Sequence, residues 1–299
     1  MPLYHQPRLL RRTLKVLEKD NHHFFVHVDA KSRDYHAFEE AVSGIGNVHL
    51  IRPRIKVYHA SISQINAILA LLKAALDDDA DFDFYHLISG QDYPLRSNEQ
   101  FDRFFEQTTH SFMYFDTGDF LRSMQSEYRR CVDEFHFNNT HCLCSRIYER
   151  LRLGRLLRPF CRRKPINGLY GGWDWFTWNH ATATFVVDYL REHPDYLRRF
   201  NHTASPTEHL FSTLLHPHTE QLGIEPQNPL RYVSWHPHRP IQTNYRPYNL
   251  NELDFESVVN STCFFCRKID ERESGRLMDM IDAQRGSDFD MYPDKPIFV

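Results

Sequence analysis

Over its first 120 residues the chain switches repeatedly between a helical and a strand period, and that alternation narrows the fold more than any single motif. Leu10, Leu14 and Leu17 recur at helical spacing after Pro7, with Arg8, Arg11, Arg12 and Lys15 on the wet side. Phe24 to Val28 is short, aromatic and β-branched, and it ends at Asp29 in the polar turn Asp29-Ala30-Lys31-Ser32. Tyr35, Phe38 and Val42 then set a helix and Val48 to Ile51 a strand. Ile65, Ile68, Leu69, Leu72 and Leu76 set a long helix opened by Ser61 or Ser63 as cap. Phe84 to Ile88 is the next strand. The turn Ser89-Gly90-Gln91-Asp92-Tyr93-Pro94, a helix over Phe101 to Phe105 and a strand over Phe112 to Phe115 follow. Strands alternating with helices over short links predict an α/β fold on a parallel sheet, with ligands at the carboxyl ends of its strands.

Beyond that point the rhythm breaks. Residues 118–165 read as basic and irregular, and between Arg146 and Lys164 the apolar Leu153, Leu156, Leu157 and Phe160 fall at helical spacing among Arg150, Arg152, Arg155, Arg158, Arg162 and Arg163. Such a stretch is either a solvated helix covering the core or a peripheral membrane contact, and Pro159 cuts it short. A tryptophan-rich segment spans Gly171 to Trp178. Helices are expected near Thr184 to Arg191 and after Pro206, a strand over Leu230 to Trp235, and a last helix over Glu273 to Ile281.

Composition excludes several classes. Thirty-six Lys and Arg against 39 Asp and Glu leave a formal charge of -3, so bulk electrostatics give no case for a nucleic-acid binder. No apolar run is long enough to span a bilayer and the opening MPLYHQPRLLRR is no signal peptide, so a cytoplasmic location is expected. The six cysteines show no framework, as in a reducing compartment. Cys263 and Cys266 have the spacing of half a zinc site, but the other close pair, Cys142 and Cys144, is separated by one residue, and no metal is expected there.

Candidate chemistry gathers at strand ends. Asp29, Ser61 and Asp92 stand there, although each alone is as readily a cap or turn residue. The acidic run Asp77 to Asp83 contains an Asp-x-Asp, but it precedes the strand Phe84 to Ile88 and so belongs at the opposite end of the sheet. Glu208 follows Ser205 and Pro206 at the spacing of a capping box, which competes with a chemical role. Arg267 and Lys268, with Arg239 and Arg246 upstream, could neutralise a phosphate. His209, His216, His218, His236 and His238 read as solvated or core histidines.

Taken in order, seven blocks resemble the core-2/I-branching β-1,6-N-acetylglucosaminyltransferase and protein O-xylosyltransferase family, glycosyltransferase family 14. They are HVDAKS at His27 to Ser32, VYHASISQI at Val57 to Ile65, SGQDYPL at Ser89 to Leu95, YGGWDWF at Tyr170 to Phe176, SPTEHL at Ser205 to Leu210, LRYVSW at Leu230 to Trp235 and FCRKID at Phe265 to Asp270. The resemblance implies a GT-A-like α/β fold forming one domain over 1–299, with residues 1–117 binding the nucleotide and 118–299 the acceptor. It implies transfer from a UDP-sugar, N-acetylglucosamine or xylose, to a glycan or other hydroxyl acceptor without a metal. By residue it implies Glu208 as the base; Asp29, Ser61, Asp92, Arg239, Arg246, Arg267 and Lys268 around the nucleotide and diphosphate; and Asp174 and Trp175 in the acceptor and sugar region.

Three departures stand out. His59-Ala60-Ser61 replaces Trp-Gly-Gly, Thr207 replaces an aspartate, and Cys266 replaces an alanine. The family's first strand is reduced to Met1 to Tyr4, and the lack of an amino-terminal anchor suggests a bacterial or soluble relative. The chemistry agrees with the resemblance: inverting transfer needs one base to take the acceptor's proton, and fixed cations can stabilise a leaving diphosphate as a metal would. A nucleotide-sugar binder that has lost catalysis, and a membrane-associated scaffold using residues 146–164, are the alternatives.

Overall fold

The computed structural model describes residues 1–138, 147–148, 150–151, 153–154, 163–235 and 247–285. The opening alternation folds as its periods require. Strand β1 (Pro2–Leu3), helix α1 (Pro7–Leu17), strand β2 (Phe24–Val28), helix α2 (Tyr35–Val42), strand β3 (Val48–Leu50) and helix α3 (Ile62–Leu76) follow one another. β1, β2 and β3 form a parallel sheet in which Pro2 faces His27 and Phe25 faces His49. Ser61 is the cap of α3, its hydroxyl accepting from the Ser63 N–H at 3.2 Å.

The second sheet departs from the all-parallel expectation. Its strand order is β4 (Phe84–His86), β7 (Gly172–Asn179), β6 (Ser111–Phe115) and β8 (Ile224–Glu225), and β7 runs antiparallel to both β4 and β6. β7 is the tryptophan-rich segment, whose mixed GWDWFTWN sequence lacks the plain apolar run of a buried strand. Its entry demands glycine, since a Cβ on Gly172 would lie 2.3 Å from the Tyr114 carbonyl oxygen and one on Gly171 2.6 Å from the Asp116 carboxylate. Two helices lie around this sheet's first half, α4 (Asn98–Glu106), opened by a capping box of Ser97 and Gln100, and α5 (Gly118–Asp133). The sequence reading has an irregular segment where α5 stands; only its Tyr128 and Val132 are buried, too few to mark a helical period.

Along β7 successive side chains alternate between faces. Phe176 and Trp178 turn toward helix α8 (Pro206–Leu215), where both rings meet Phe211 in the largest buried cluster. Between β7 and α8 come helices α6 (His180–Glu192) and α7 (Pro194–Arg199). A third sheet joins β5 (Tyr93–Pro94), β10 (Phe265–Arg267) and β9 (Arg231–Val233), with β10 parallel to β9. Helices α9 (Phe255–Val259) and α10 (Gly275–Gln284) close the chain's described part.

Of the basic stretch 146–164, only Ile147, Tyr148, Arg150, Leu151, Leu153, Gly154, Arg163 and Lys164 are described. Arg163 does not face outward: its guanidinium donates to the carbonyls of Val132, at 2.8 Å, Glu134 and His202. Among the described residues no helix is long and apolar enough to cross a membrane.

Candidate active site

At the carboxyl ends of β4 and β6, the amino end of β7 and the first turn of α8, three carboxylates come together. β7 places Asp174 on the same face as Phe176 and Trp178, beside the start of α8, where Thr207 hydrogen-bonds to it. Asp116 follows β6 directly, is buried, and accepts from the Tyr128 hydroxyl. Glu208 stands three residues into α8 and is solvent-exposed.

The capping-box reading of Glu208 fails on geometry. Ser205 is left-handed, with φ 45°, and its side chain makes no capping bond. Its backbone N–H donates to Ala60 instead. Among the described residues no donor or cation is bonded to the Glu208 carboxylate. Loss of water in the crevice, followed by the charges of Asp174 and Asp116, pushes Glu208 up to about 8. Water still reaches one side of the group and screens part of that effect, so its titration lies between the ordinary carboxylate value and this limit. Burial likewise raises Asp174, against the hydrogen bond from Thr207 and the charge of Arg267, and raises Asp116.

Buried cations lie near the carboxylates, the charge of Arg267 acting on Asp174. The turn Ser89 to Asp92 folds on itself, with Asp92 Oδ2 accepting from the Ser89 N–H and hydroxyl, each at 2.6 Å. That carboxylate serves two buried guanidiniums, with Arg267 at 3.5 Å and Arg231 at 3.8 Å. Two positive groups sharing one negative group leave one net positive charge beside the cleft. Trp175, on the β7 face opposite Asp174, covers that charge: the Arg267 guanidinium lies 3.8 Å from its ring centroid. Burial lowers Arg231 to about 10, against the attraction of Asp92.

The other sequence candidates fall into three groups. Asp29 is buried at the end of β2, with Oδ1 accepting from the Lys31 N–H at 2.8 Å and Oδ2 lying 3.6 Å from Lys31 Nζ. Ser61 is engaged as the α3 cap and also donates to the Tyr58 carbonyl. Lys268, half-buried, directly follows β10, its backbone pairing with Tyr248 and Leu250. Arg239 and Arg246 lie outside the described residues, as do His236, His238, Cys142, Cys144 and Cys161. His209 is a core residue, lowered to about 4 by burial; His216 stacks on Tyr170 and His218 is near the surface. The acidic run sits between α3 and β4, at the amino end of β4 and away from the cleft.

Sequence reasoning passed over Asp116 and Arg231. Asp116 obeys the rule that singled out Asp29, a carboxylate directly after a strand. Arg231 was legible as a charge inside the short strand LRYV, which can be buried only with a counter-ion.

Carboxylates gathered at strand carboxyl ends, with a buried guanidinium close enough to act on one of them, are the layout of an α/β group-transfer protein. The family model for the Core-2/I-Branching enzyme matches residues 3–259. The chain belongs to that family. Among curated proteins it is similar to xylosyltransferase 2 of Rattus norvegicus, 26% identical over 92% of this chain and 32% of that protein. It is also similar to xylosyltransferase 1 of Canis lupus familiaris, 24% identical over 92% of this chain and 29% of that one. A xylosyltransferase of Ciona intestinalis is 24% identical over 97% of this chain and 33% of its own. The chain thus spans about a third of the length of these relatives.

Proposed function

We propose that the chain is a GT-A-type inverting glycosyltransferase that moves a sugar from a UDP-sugar to an acceptor hydroxyl, making a β-linkage without a metal. Xylose is the first donor to test because the relatives above are xylosyltransferases, with N-acetylglucosamine second. The observation that carries the reading is Glu208: a carboxylate outside any capping box, raised toward neutrality by its surroundings. A carboxylate so raised is a stronger base than an ordinary one.

In the step proposed, Glu208 takes the proton of the acceptor hydroxyl as its oxygen bonds to the anomeric carbon. The bond from that carbon to the diphosphate oxygen breaks, and its electron pair leaves with UDP. Lys268 meets the diphosphate, with Arg246, or Arg239 in its place, as a second cation, and the positive charge held by Arg231 and Arg267 stabilises its departure. Asp29 serves the nucleotide and Trp175 the sugar. Asp92 acts on the arginines, and Ser61 acts by fixing the start of α3. A cation set of this kind substitutes for a metal on the diphosphate.

Incubating the chain with UDP-xylose and UDP-N-acetylglucosamine in excess EDTA, and following UDP release with and without acceptor, tests this reading. UDP release from one donor in EDTA supports it. Release that needs manganese, or binding of UDP without release under any condition, overturns it; the second result favours a binder that has lost catalysis.

A further inference from the structure

At the edge of the first sheet opposite Asp29, three potential ligands from separate parts of the chain converge. His23 directly precedes β2, His49 lies in β3, and Asp78 lies two residues beyond α3. The Nδ1 of His23 is 3.9 Å from Asp78 Oδ1 and the Nε2 of His49 is 4.0 Å from Asp78 Oδ2. The three ligand atoms all lie within 4.8 Å of one another. Both of these imidazole nitrogens are shielded from solvent and lack a hydrogen-bond partner. Their rings stack on each other at 5.8 Å, Phe25 stacks on His49 at 4.7 Å, and Phe82 meets His23 edge-on at 4.9 Å. Aromatic packing therefore fixes the rings with two bare nitrogens aimed toward one carboxylate, an arrangement that has a cost unless something occupies the space between them.

We propose that His23, His49 and Asp78 bind a divalent transition-metal ion, zinc being the best match. Two imidazoles and one carboxylate suit zinc and its neighbours, whereas magnesium and calcium require mostly oxygen ligands. Tetrahedral coordination at about 2.0–2.1 Å separates ligand atoms by about 3.4 Å, so the two imidazole–carboxylate pairs need to close by about half an ångström and the remaining separations, all within 4.8 Å, by at most about 1.4 Å, with water as fourth ligand. Asp78 Oδ1 also accepts from the Ala80 N–H at 3.1 Å, which orients the carboxylate. Asp77, Asp79 and Asp81 add negative potential nearby. Among the described residues no other group of His, Cys, Asp and Glu converges this closely. The site gives the acidic run a use unrelated to the cleft: it ties the carboxyl end of α3 to β2 and β3.

Zinc titrated into the metal-stripped full chain, followed by calorimetry and thermal unfolding, tests this site. One zinc should bind per chain and raise the melting temperature. Cobalt in its place should give the intense visible absorption of tetrahedral coordination. Asp78→Asn and His49→Gln should each weaken zinc binding at least tenfold and abolish the cobalt band. Melting in EDTA, where the site plays no part, shows whether each variant is folded, and His23→Gln substitutes for either that is not. Absence of one-to-one binding, or zinc affinity unchanged in these variants, overturns the assignment.

Discussion

Replacing Asp92 by Asn removes one negative charge and almost nothing else, because Asn retains an oxygen to accept from Ser89. What it strands are the guanidiniums of Arg231 and Arg267, 3.8 and 3.5 Å away and both buried. At an effective dielectric of about 20 each attraction is worth about 4–5 kcal/mol before desolvation is counted. Desolvation offsets much of that in the intact cluster, but it remains when the counter-ion is lost, and breaking a buried pair costs roughly 3–5 kcal/mol. For Asp92→Asn the expected loss is at the upper end of that range, since two cations lose one partner. That corresponds to a fall in melting temperature on the order of 10 °C. Urea unfolding of the wild type, Asp92→Asn, Arg231→Met and the double variant measures it. The double variant should recover a large part of the single loss, because one stranded charge is gone. A loss below about 1 kcal/mol for Asp92→Asn, or strict additivity in the double variant, would refute the shared-carboxylate cluster.

Three further outcomes follow from the same geometry. Gly172→Ala places a methyl 2.3 Å from the Tyr114 carbonyl oxygen and 2.6 Å from Ser212 Oγ, so it should destabilise by about 3 kcal/mol or more or prevent folding, read by urea unfolding. Lys268→Ala should weaken UDP binding about tenfold by calorimetry and lower turnover at least a hundredfold, since in the proposed step its charge meets the diphosphate before and during departure. Turnover should rise with pH while Glu208 loses its proton, with a midpoint above the ordinary carboxylate value and no higher than about 8; a flat profile from pH 5 to 8 would count against Glu208 as the base.

Local periodicity reported the elements that bury one clear stripe or run. α1, α3, β2 and β6 all stand where Leu10 and Leu14, Ile65 and Leu72, Phe24 to Val28 and Phe112 to Phe115 place them. It did not report β7, whose two faces face different surroundings. Phe176 and Trp178 enter the core while Trp175 covers a guanidinium, so no single period runs along the strand. With β7 went the antiparallel pairing that makes the second sheet mixed. The candidate site was legible as a list, from residues at strand ends, but not as an arrangement. That Asp174 and Trp175 meet different partners depends on the β7 register, and that Ser205 leaves Glu208 uncapped depends on a backbone angle that the sequence Ser-Pro-Thr-Glu does not announce.

The central claim is that Glu208 takes the acceptor's proton. Glu208→Gln removes the base and keeps the shape, and its direct measurement is single-turnover sugar transfer beside calorimetric UDP binding. Removing a carboxylate that loss of water, and then its acidic neighbours, hold above its unfolded value relieves a destabilisation present once pH exceeds that unfolded value, so the variant should melt no lower than the wild type at neutral pH. It should bind UDP as the wild type does and transfer sugar at least about a hundredfold more slowly, the usual scale of general-base catalysis. Transfer within a few fold of the wild type, from a folded protein that binds UDP, would contradict the account.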